Sequence, residues 1–315
     1  MELRQLRYFV RIAELGSLSR ASRVLHIAQP ALSQQMAHLE AELGQVLLTR
    51  LSSGVRMTEQ GEVFLHHARR VLRLIDDIPA AVASLEKKPT GTVRVGLPQS
   101  TAAHYALLLE NAVRRRYSEV RLELFDEISS HIPAHLESGR IDLGVIVNDE
   151  DEPLVSASPL MDEQLFLVSR AGHAPGADGV TAAQLARLPL TIPASGLGVR
   201  PIVDAFLARE GLVLPELLVS ANSMNLMRGA MLCGQAHGVM PWAAVAQELR
   251  SGTLVALPIV PRLSRRVYLC TARNAVLSLA AQAVHGLLAD TVTELVQNGS
   301  WPGATLVPSP DHRVP

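Results

Sequence analysis

Gln29, Ser33 and Gln34 fall within the stretch Ala28–Gly44, AQPALSQQMAHLEAELG. On a helix they share a face with Ala37. Their amides and hydroxyl can pair with the edges of base pairs in a DNA major groove. No carboxylate interrupts that face before Glu40, so nothing there repels phosphate. A helix with a purely structural task usually carries Glu and Lys pairs on its wet side. The chemistry on offer is hydrogen-bond readout, set against the plainer reading of a solvated polar face.

Other chemistries lack their residues. The chain has no phosphate loop, no GxSxG and no His/Cys cluster at metal spacing. GLGVR holds too few glycines for a dinucleotide loop, and no spacing among Ser, His and Asp singles out a triad. Neither a catalytic residue nor a cofactor is expected. Cys233 (in MLCGQ) and Cys270 (in VYLCTA) sit in apolar surroundings and read as inert buried thiols.

The elements that position the polar face are legible around it. Its opposite side carries Leu32, Met36, Leu39 and Leu43 at steps of four, three and four, one apolar helical stripe. Pro30 suits the first turn and Gly44 a left-handed C-terminal cap. Before it, Leu3, Leu6, Val10 and Ala13 form a helical stripe closed by Gly16. Ser17 then caps a short helix with Leu18, Ala21 and Leu25 inward. Two short helices, a tight turn and a helix with a reading face make a helix-turn-helix, about Leu18 to Ala37. Leu47–Leu48 and Val55–Arg56–Met57 flank a turn at Ser52–Ser53–Gly54, which predicts a small hairpin or wing. Arg50 and Arg56 beside that turn are candidate phosphate contacts.

Charge supports this division. Residues 1–58 hold seven arginines and four glutamates, while the whole chain is formally −1. A basic module on a mildly acidic body is a weak nucleic-acid signal. No apolar run reaches the ~18 residues of a membrane span, and MELRQLRYFV is not a signal peptide. Two distant cysteines make no disulfide framework. A reduced, cytoplasmic protein is expected.

The order LRYFV…GSLSRAS…AQPALSQQ…LE…LG…T..G resembles the DNA-binding module of the LysR-type transcriptional regulators, nearly continuously over residues 1–58. HIAQPALSQQ is most similar to the nitrogen-assimilation-control branch. By position the resemblance implies DNA contacts at Gln29, Pro30, Ser33 and Gln34, a wing contact at Arg50, and a linker helix starting with Thr58 and Gly61. Thr58 is included among the DNA-binding candidates. Two positions depart from the family pattern. Ala28 stands where many members cap with Ser or Thr, and Leu51–Ser52–Ser53 lacks the extra Lys or Arg common there. Arg56 is a candidate compensation.

From Thr58, the apolar residues Phe64, Ala68, Val71, Ile75, Ile78, Val82 and Leu85 step by four and three, a heptad seam that predicts pairing with a second helix. A dimer places two recognition helices on an inverted repeat. Pro79 inside the seam predicts a kink or interruption near Ile78. Lys87–Gly91 reads as the linker between domains.

After Gly91, strands alternate with helices, which predicts parallel sheet with helices on both faces. Strands are expected at Thr92–Pro98, VRLELFD, IDLGVIV, Gln164–Ser169, LPLTIPA, ELLVSAN, Gly238–Met240, Leu254–Pro258 and Val267–Thr271. Helices are expected at 102–117, 131–139, Pro201–Gly211, before Gly234, 242–250 and 275–297. The layout resembles the family's two-lobed effector domain, itself similar to periplasmic binding proteins, with crossing strands near Gln164–Ser169 and Ile259–Val267. Loops after strands, at helix N-termini, are the candidate ligand sites. They carry Gln99, Ser100, Thr101, Ser129 with Ser130, Ser195, Gly196 and Arg200, a set suited to a small anionic metabolite. Asn148 and Asp149 are a candidate lobe hinge.

The α/β chain is thus divided into a winged helix-turn-helix (1–58), a dimerisation helix (59–88), a hinge (89–91), an effector domain (92–300) and a disordered tail (301–315). Lobe one of the effector domain is 92–163 with 268–300, and lobe two is 164–267. The expected partners are double-stranded DNA with an inverted-repeat operator, further copies of the chain (a dimer, then a dimer of dimers), RNA polymerase and the metabolite, with no membrane. The rivals are an effector-independent regulator, a redox-sensing one, and a two-lobed binding protein or enzyme that does not touch DNA.

Overall fold

The computed structural model describes residues 1–51, 54–83, 88–147, 152–176, 178–194, 196, 198–214, 217, 219–273 and 275–307, with side chains at all but 77 and 79–83. Ser52, Ser53, Leu85, Asn148, Asp149 and Ser195 lie outside the described residues, as does the side chain of Val82. The chain forms two compact units, Met1–Lys87 with Glu137–Arg140, and Lys88–Leu136 with Ile141–Pro315.

The first unit opens with α1 (Leu3–Leu15), α2 (Leu18–Leu25) and α3 (Gln29–Leu43). Gly16 and Gly44 end α1 and α3 in the left-handed region at φ 60° and 64°. Ser17 caps α2 by accepting from the Arg20 N–H at 3.3 Å. In α3 the inward residues are Leu32, Met36 and Leu39, while Leu43 is exposed. The α1 stripe differs from the expected one. Phe9 and Ile12 are fully buried beside Leu6, Leu3 is exposed, and Val10 and Ala13 are half-buried. The core lies on the flank of the expected stripe, because the larger Phe9 and Ile12 remove more apolar area from water. Phe9 meets Phe64 edge-on at 5.0 Å, which seats α4 (Glu59–Ala83) on α1. Between α3 and α4 runs an antiparallel ribbon of β1 (Leu48–Leu51) and β2 (Gly54–Met57). The interruption expected at Pro79 is absent, because α4 is helical through it to Ala83. Proline removes one backbone donor, and the helix continues past that single loss.

The second unit begins with β3 (Gly91–Pro98), α5 (Gln99–Arg116), β4 (Val120–Glu127), a 3-10 turn Ser129–His131, α6 (Ile132–Glu137) and β5 (Leu143–Val147). Next comes the long β6 (Val155–Arg170), of which the sequence pattern had marked only the second half. β7 (Val180–Thr181), α7 (Ala182–Leu185), β8 (Leu190–Ile192), α8 (Arg200–Arg209), β9 (Val219–Ser220), α9 (Met224–Leu232) and β10 (His237–Pro241) follow. The chain then turns through Trp242–Val245 into α10 (Ala246–Arg250), β11 (Leu254–Val260), β12 (Ser264–Ala272), α11 (Leu279–Gln297) and β13 (Ala304–Leu306).

The sheet order is β4-β3-β5-β12-β6-β10-β8-β9, with β11 and β13 also on β6. The parallel sheet expected is present as two parallel sets, joined through antiparallel strands. β3 pairs in parallel with β4 and β5, and β8 with β9 and β10, whereas every ladder on β6 is antiparallel. β6 is shared by two sub-sheets. Residues 155–164 pair with β12, and residues 165–168 pair with β10. Each sub-sheet has its own core, one around Val93, Leu143 and Leu288, the other around Leu165, Ile192 and Phe206. The expected disordered tail is also corrected over 301–307. Trp301 is 1% exposed, and β13 pairs with Glu163, Asp162 and Met161 of β6. A large indole removed from water outweighs the prolines that suggested disorder. Residues 308–315 lie outside the described set.

Candidate nucleic-acid interface and ligand cleft

In the first unit, Gln29, Pro30 and Gln34 are exposed and Ser33 is half-buried, all on the outer side of α3. Ala28 supplies no side-chain cap, and Pro30 occupies the first turn. Ser19 of α2 donates to Gln29 Oε1 at 2.9 Å, which holds that amide at the helix start. Arg50 of β1 donates to the Ser33 hydroxyl, so wing and recognition helix meet through two of the expected DNA contacts. Arg56 does not join them. Arg50 is opposite Val55 in the ribbon, and Arg56 is opposite Thr49, so the two arginines point to opposite faces.

The ribbon is placed by Glu40, whose Oε1 accepts from the Leu47 and Leu48 N–H groups at 2.8 and 3.0 Å. The Val55 N–H donates to the Gly16 carbonyl at 3.0 Å. Gly54 has φ +141°, and a Cβ there would lie 2.4 Å from the Gly16 carbonyl oxygen. Thr58, a candidate DNA contact, has structural bonds for its hydroxyl. It donates to the Val46 carbonyl at 2.7 Å and accepts from the Gly61 N–H at 3.0 Å. That makes it the N-cap of α4 and the anchor of the ribbon.

The surplus positive charge is concentrated on these elements. Arg4, Arg7 and Arg11 have carboxylate partners in Glu2, Asp76 and Glu14. Among the described residues, Arg20, Arg23, Arg50 and Arg56 have none. Four arginines without a carboxylate partner thus lie on the helix-turn-helix and its ribbon.

The heptad seam of α4 divides in two. Phe64 packs on Phe9, and Ala68 is 1% exposed, so both serve the unit's own interior rather than a partner. Ile75 is half-buried. The exposed large apolar residues are Val63, Val71, Leu74 and Ile78, of which the last three form one stripe at steps of three and four. Leu74 was not in the expected seam and is 63% exposed.

In the second unit, a cleft of about 70 Å³ opens where the two sub-sheets meet. Gln99, Ser100 and Ser129 line it as expected, and Gly196 lines an adjoining recess with Ser129. Each of the three polar side chains is already engaged. Gln99 Oε1 accepts from the Met224 N–H at 3.2 Å, a bond from α5 across to the start of α9. Ser129 Oγ accepts from the Val147 N–H at 3.1 Å, and Ser100 Oγ accepts from Arg265 at 2.9 Å. Two candidates lie elsewhere. Thr101 is 2% exposed and outside the lining, under the first turn of α5. Arg200 is bound to Asp204 one turn along α8, at 2.9 and 3.0 Å, and does not face the cleft.

The cation of the cleft lining is instead Arg265, which sequence reasoning passed over. It is 3% exposed and pairs with Glu163, which is fully buried, directly across the β6–β12 ladder. A signal existed. Arg265 shares strand parity with buried Val267 and Leu269, and Glu163 shares it with Met161 and Leu165. A charged residue on each buried face at one register position points to a pair. Beside it His104 lies edge-on to both Trp242 and Trp301 at 5.1 and 5.3 Å, and burial lowers its pKa from 6.5.

The cysteines differ from each other. Cys270 is buried, donates to the Gly144 carbonyl, and burial pushes its thiol pKa up. Cys233 is exposed, against expectation, because it lies at the C-cap of α9 rather than inside a strand.

A winged helix-turn-helix bearing unpaired arginines, followed by a two-part sheet with a cleft, defines a DNA-binding regulator with a ligand domain. Residues 3–62 match the bacterial regulatory helix-turn-helix family of LysR type, and residues 86–293 match the LysR substrate binding domain. The chain belongs to the LysR family of DNA-binding transcriptional regulators. It is 33% identical over 306 residues to the nitrogen assimilation regulatory protein nac of Escherichia coli K12, covering 96% of this chain and 99% of that one. The nac protein of Klebsiella aerogenes is 32% identical over 296 residues, with 93% and 96% covered. Among solved structures the fold is similar to a point variant of full-length OxyR from Pseudomonas aeruginosa (TM-score 0.71, 24% identity, 93% of this chain and 94% of that one). It is also similar to full-length CbnR complexed with its target DNA (TM-score 0.69, 22% identity, 93% and 99%). Among the described residues no helix is long and apolar enough to cross a membrane.

Proposed function

We propose that this chain is a cytoplasmic regulator, without catalytic activity, that reads an inverted-repeat operator through Gln29, Pro30, Ser33 and Gln34 while Arg50 and Arg56 grip phosphate. The observation that carries the reading is the Arg50–Ser33 contact beside an acid-free helix face. Val71, Leu74 and Ile78 pair two copies, and two dimers assemble on the promoter, in contact with RNA polymerase. The relatives named for nitrogen assimilation suggest genes of nitrogen supply as targets. A small molecule in the cleft changes DNA binding by favouring one of two arrangements.

The test of readout is Gln29→Ala and Ser33→Ala against operators with single base-pair changes. Each substitution should lower preference at one position by about 1–3 kcal/mol. An equal loss on every sequence would mean that these side chains only touch the backbone.

One observation favours an effector-independent reading. The Gln99–Met224 bond ties α5 to α9, and the Ser100 and Ser129 hydroxyls each already accept a bond. Operator affinity that is the same for wild type and for Gln99→Ala, with and without candidate metabolites, would favour that reading over the effector-driven one.

A further inference from the structure

The Glu163–Arg265 pair does more than fill the cleft floor. The Arg265 guanidinium is held along one edge only. Its Nε and Nη2 meet Glu163 Oε2 at 2.8 and 2.7 Å, and Nη2 also donates to Ser100 Oγ at 2.9 Å. The other carboxylate oxygen, Oε1, accepts from Trp301 Nε1 at 2.8 Å. Both glutamate oxygens are thus spoken for, and they face away from Nη1. Among the described residues Nη1 has no partner, although the side chain is only 3% exposed and lines the cleft. This edge of the guanidinium is open to the cleft and can donate to an acceptor there. The bond to Ser100 sets the first turn of α5 beside this edge, and that helix begins without a side-chain cap. Its first N–H groups have no intrahelical acceptors and add positive potential at the same place. The rest of the lining combines apolar Met224, Met227 and Val199 with Asn222 and the carboxylate Glu127.

Resting on the cleft reading above, we infer that Arg265 is the recognition residue for a small organic monoanion with an apolar body. Glu163 and Trp301 are positioning residues that fix the guanidinium so that Nη1 faces the ligand. One free edge takes one oxygen of a carboxylate or sulfonate, end-on, and leaves the rest of the ligand against the methionines. A dicarboxylate would bring a second negative charge into a cleft that Glu127 already lines, and the lining holds no second cation to meet it. Trp301 comes from the segment after α11, so the end of the chain helps to set ligand charge preference.

The experiment compares benzoate with its neutral isostere benzamide, by calorimetry and tryptophan emission, on the purified full chain. Wild type should bind benzoate at least about tenfold more tightly than benzamide, as a charge-assisted bond requires. Arg265→Gln alone strands Glu163, so the decisive variant is E163M/R265M, which replaces a buried ion pair by apolar side chains and keeps the packing. It should lose the preference for benzoate and keep benzamide binding. Trp301→Phe removes the N–H but keeps a ring. It should narrow the benzoate-to-benzamide ratio several-fold without moving the benzamide affinity, which a merely structural role would not do. A preference for benzoate that survives E163M/R265M but is abolished by the cleft-filling M227W would overturn the assignment to Arg265 and leave the cleft standing. Binding that survives both would overturn the cleft reading as well. Absence of saturable benzoate binding to wild type would overturn the anion site itself.

Discussion

Glu40 is the side chain on which the wing depends, and its removal tests the architecture of the DNA-binding unit. One carboxylate oxygen accepts two backbone N–H groups, from Leu47 and Leu48, at the base of the ribbon. Hydrogen bonds to a charged group contribute about 1.5–3 kcal/mol each. Glu40 is half-buried and water recovers part of this. Glu40→Ala should therefore cost about 2–4 kcal/mol, and Glu40→Gln, which keeps a neutral acceptor in the same place, about 1 kcal/mol. For a unit of this size the alanine variant should melt about 10–20 °C earlier. The functional readout is the salt dependence of DNA binding. Arg50 and Arg56 ride on the ribbon, and each phosphate contact contributes about −0.9 to the slope of log affinity against log salt. Freeing the ribbon should flatten that slope by up to about two contacts. If Glu40→Ala melts with wild type, the two bonds carry no weight. If it melts early while the slope is unchanged, the carboxylate stabilises the unit without placing the wing.

Three further outcomes are expected. Gly54→Ala puts a methyl 2.4 Å from the Gly16 carbonyl oxygen at φ +141°, so it should displace the ribbon and weaken binding to all DNA sequences alike; unchanged affinity in a mobility-shift titration would refute this. Leu74→Lys alters a 63% exposed position with no interior cost, so sedimentation should show dissociation while the melting of dilute protein is unaltered; an unchanged mass would remove Leu74 from the pairing surface. His104 has a folded pKa below 6.5, chiefly from burial and then from Arg250, against weaker raising effects of the Ser300 backbone and Glu163. The unfolded chain then binds more protons, and the neutral ring's stability is present above pH 6.5 and lost as pH falls from there toward the folded value. His104→Gln should flatten that acid-side decline in thermal unfolding, and an identical decline would assign it elsewhere.

The parts of this fold that were legible share a local cause. Gly16, Ser17 and Gly44 end or start helices by their own backbone preferences, so the helix-turn-helix could be read from spacing. The αβ alternation likewise follows from period. What escaped depends on pairing across distance. The first half of β6, SASPLMDEQ, has no clean alternation, because its partners β12 and β13 come from the far end of the chain. Arg265 and Glu163 were passed over, since burial of each is tolerable only beside the other, 102 residues away. Arg200 was chosen for the cleft from its place at a helix start, yet a carboxylate one turn along the same helix takes its charge. The polar candidates Gln99, Ser100 and Ser129 line the cleft, but sequence could not reveal that each already has a partner.

The ribbon of the DNA-binding unit and its approach are located through their own main-chain groups, Val55 on the Gly16 carbonyl, Leu47 and Leu48 on the Glu40 carboxylate, Val46 on the Thr58 hydroxyl. The side chains of Thr49, Leu51 and Arg56 take no part in those bonds. Drift at these positions can therefore rewrite what the wing touches without relocating it. Descendants of such a sequence can acquire new promoters through exchanges at a few surface codons, each tried on a scaffold that stays put.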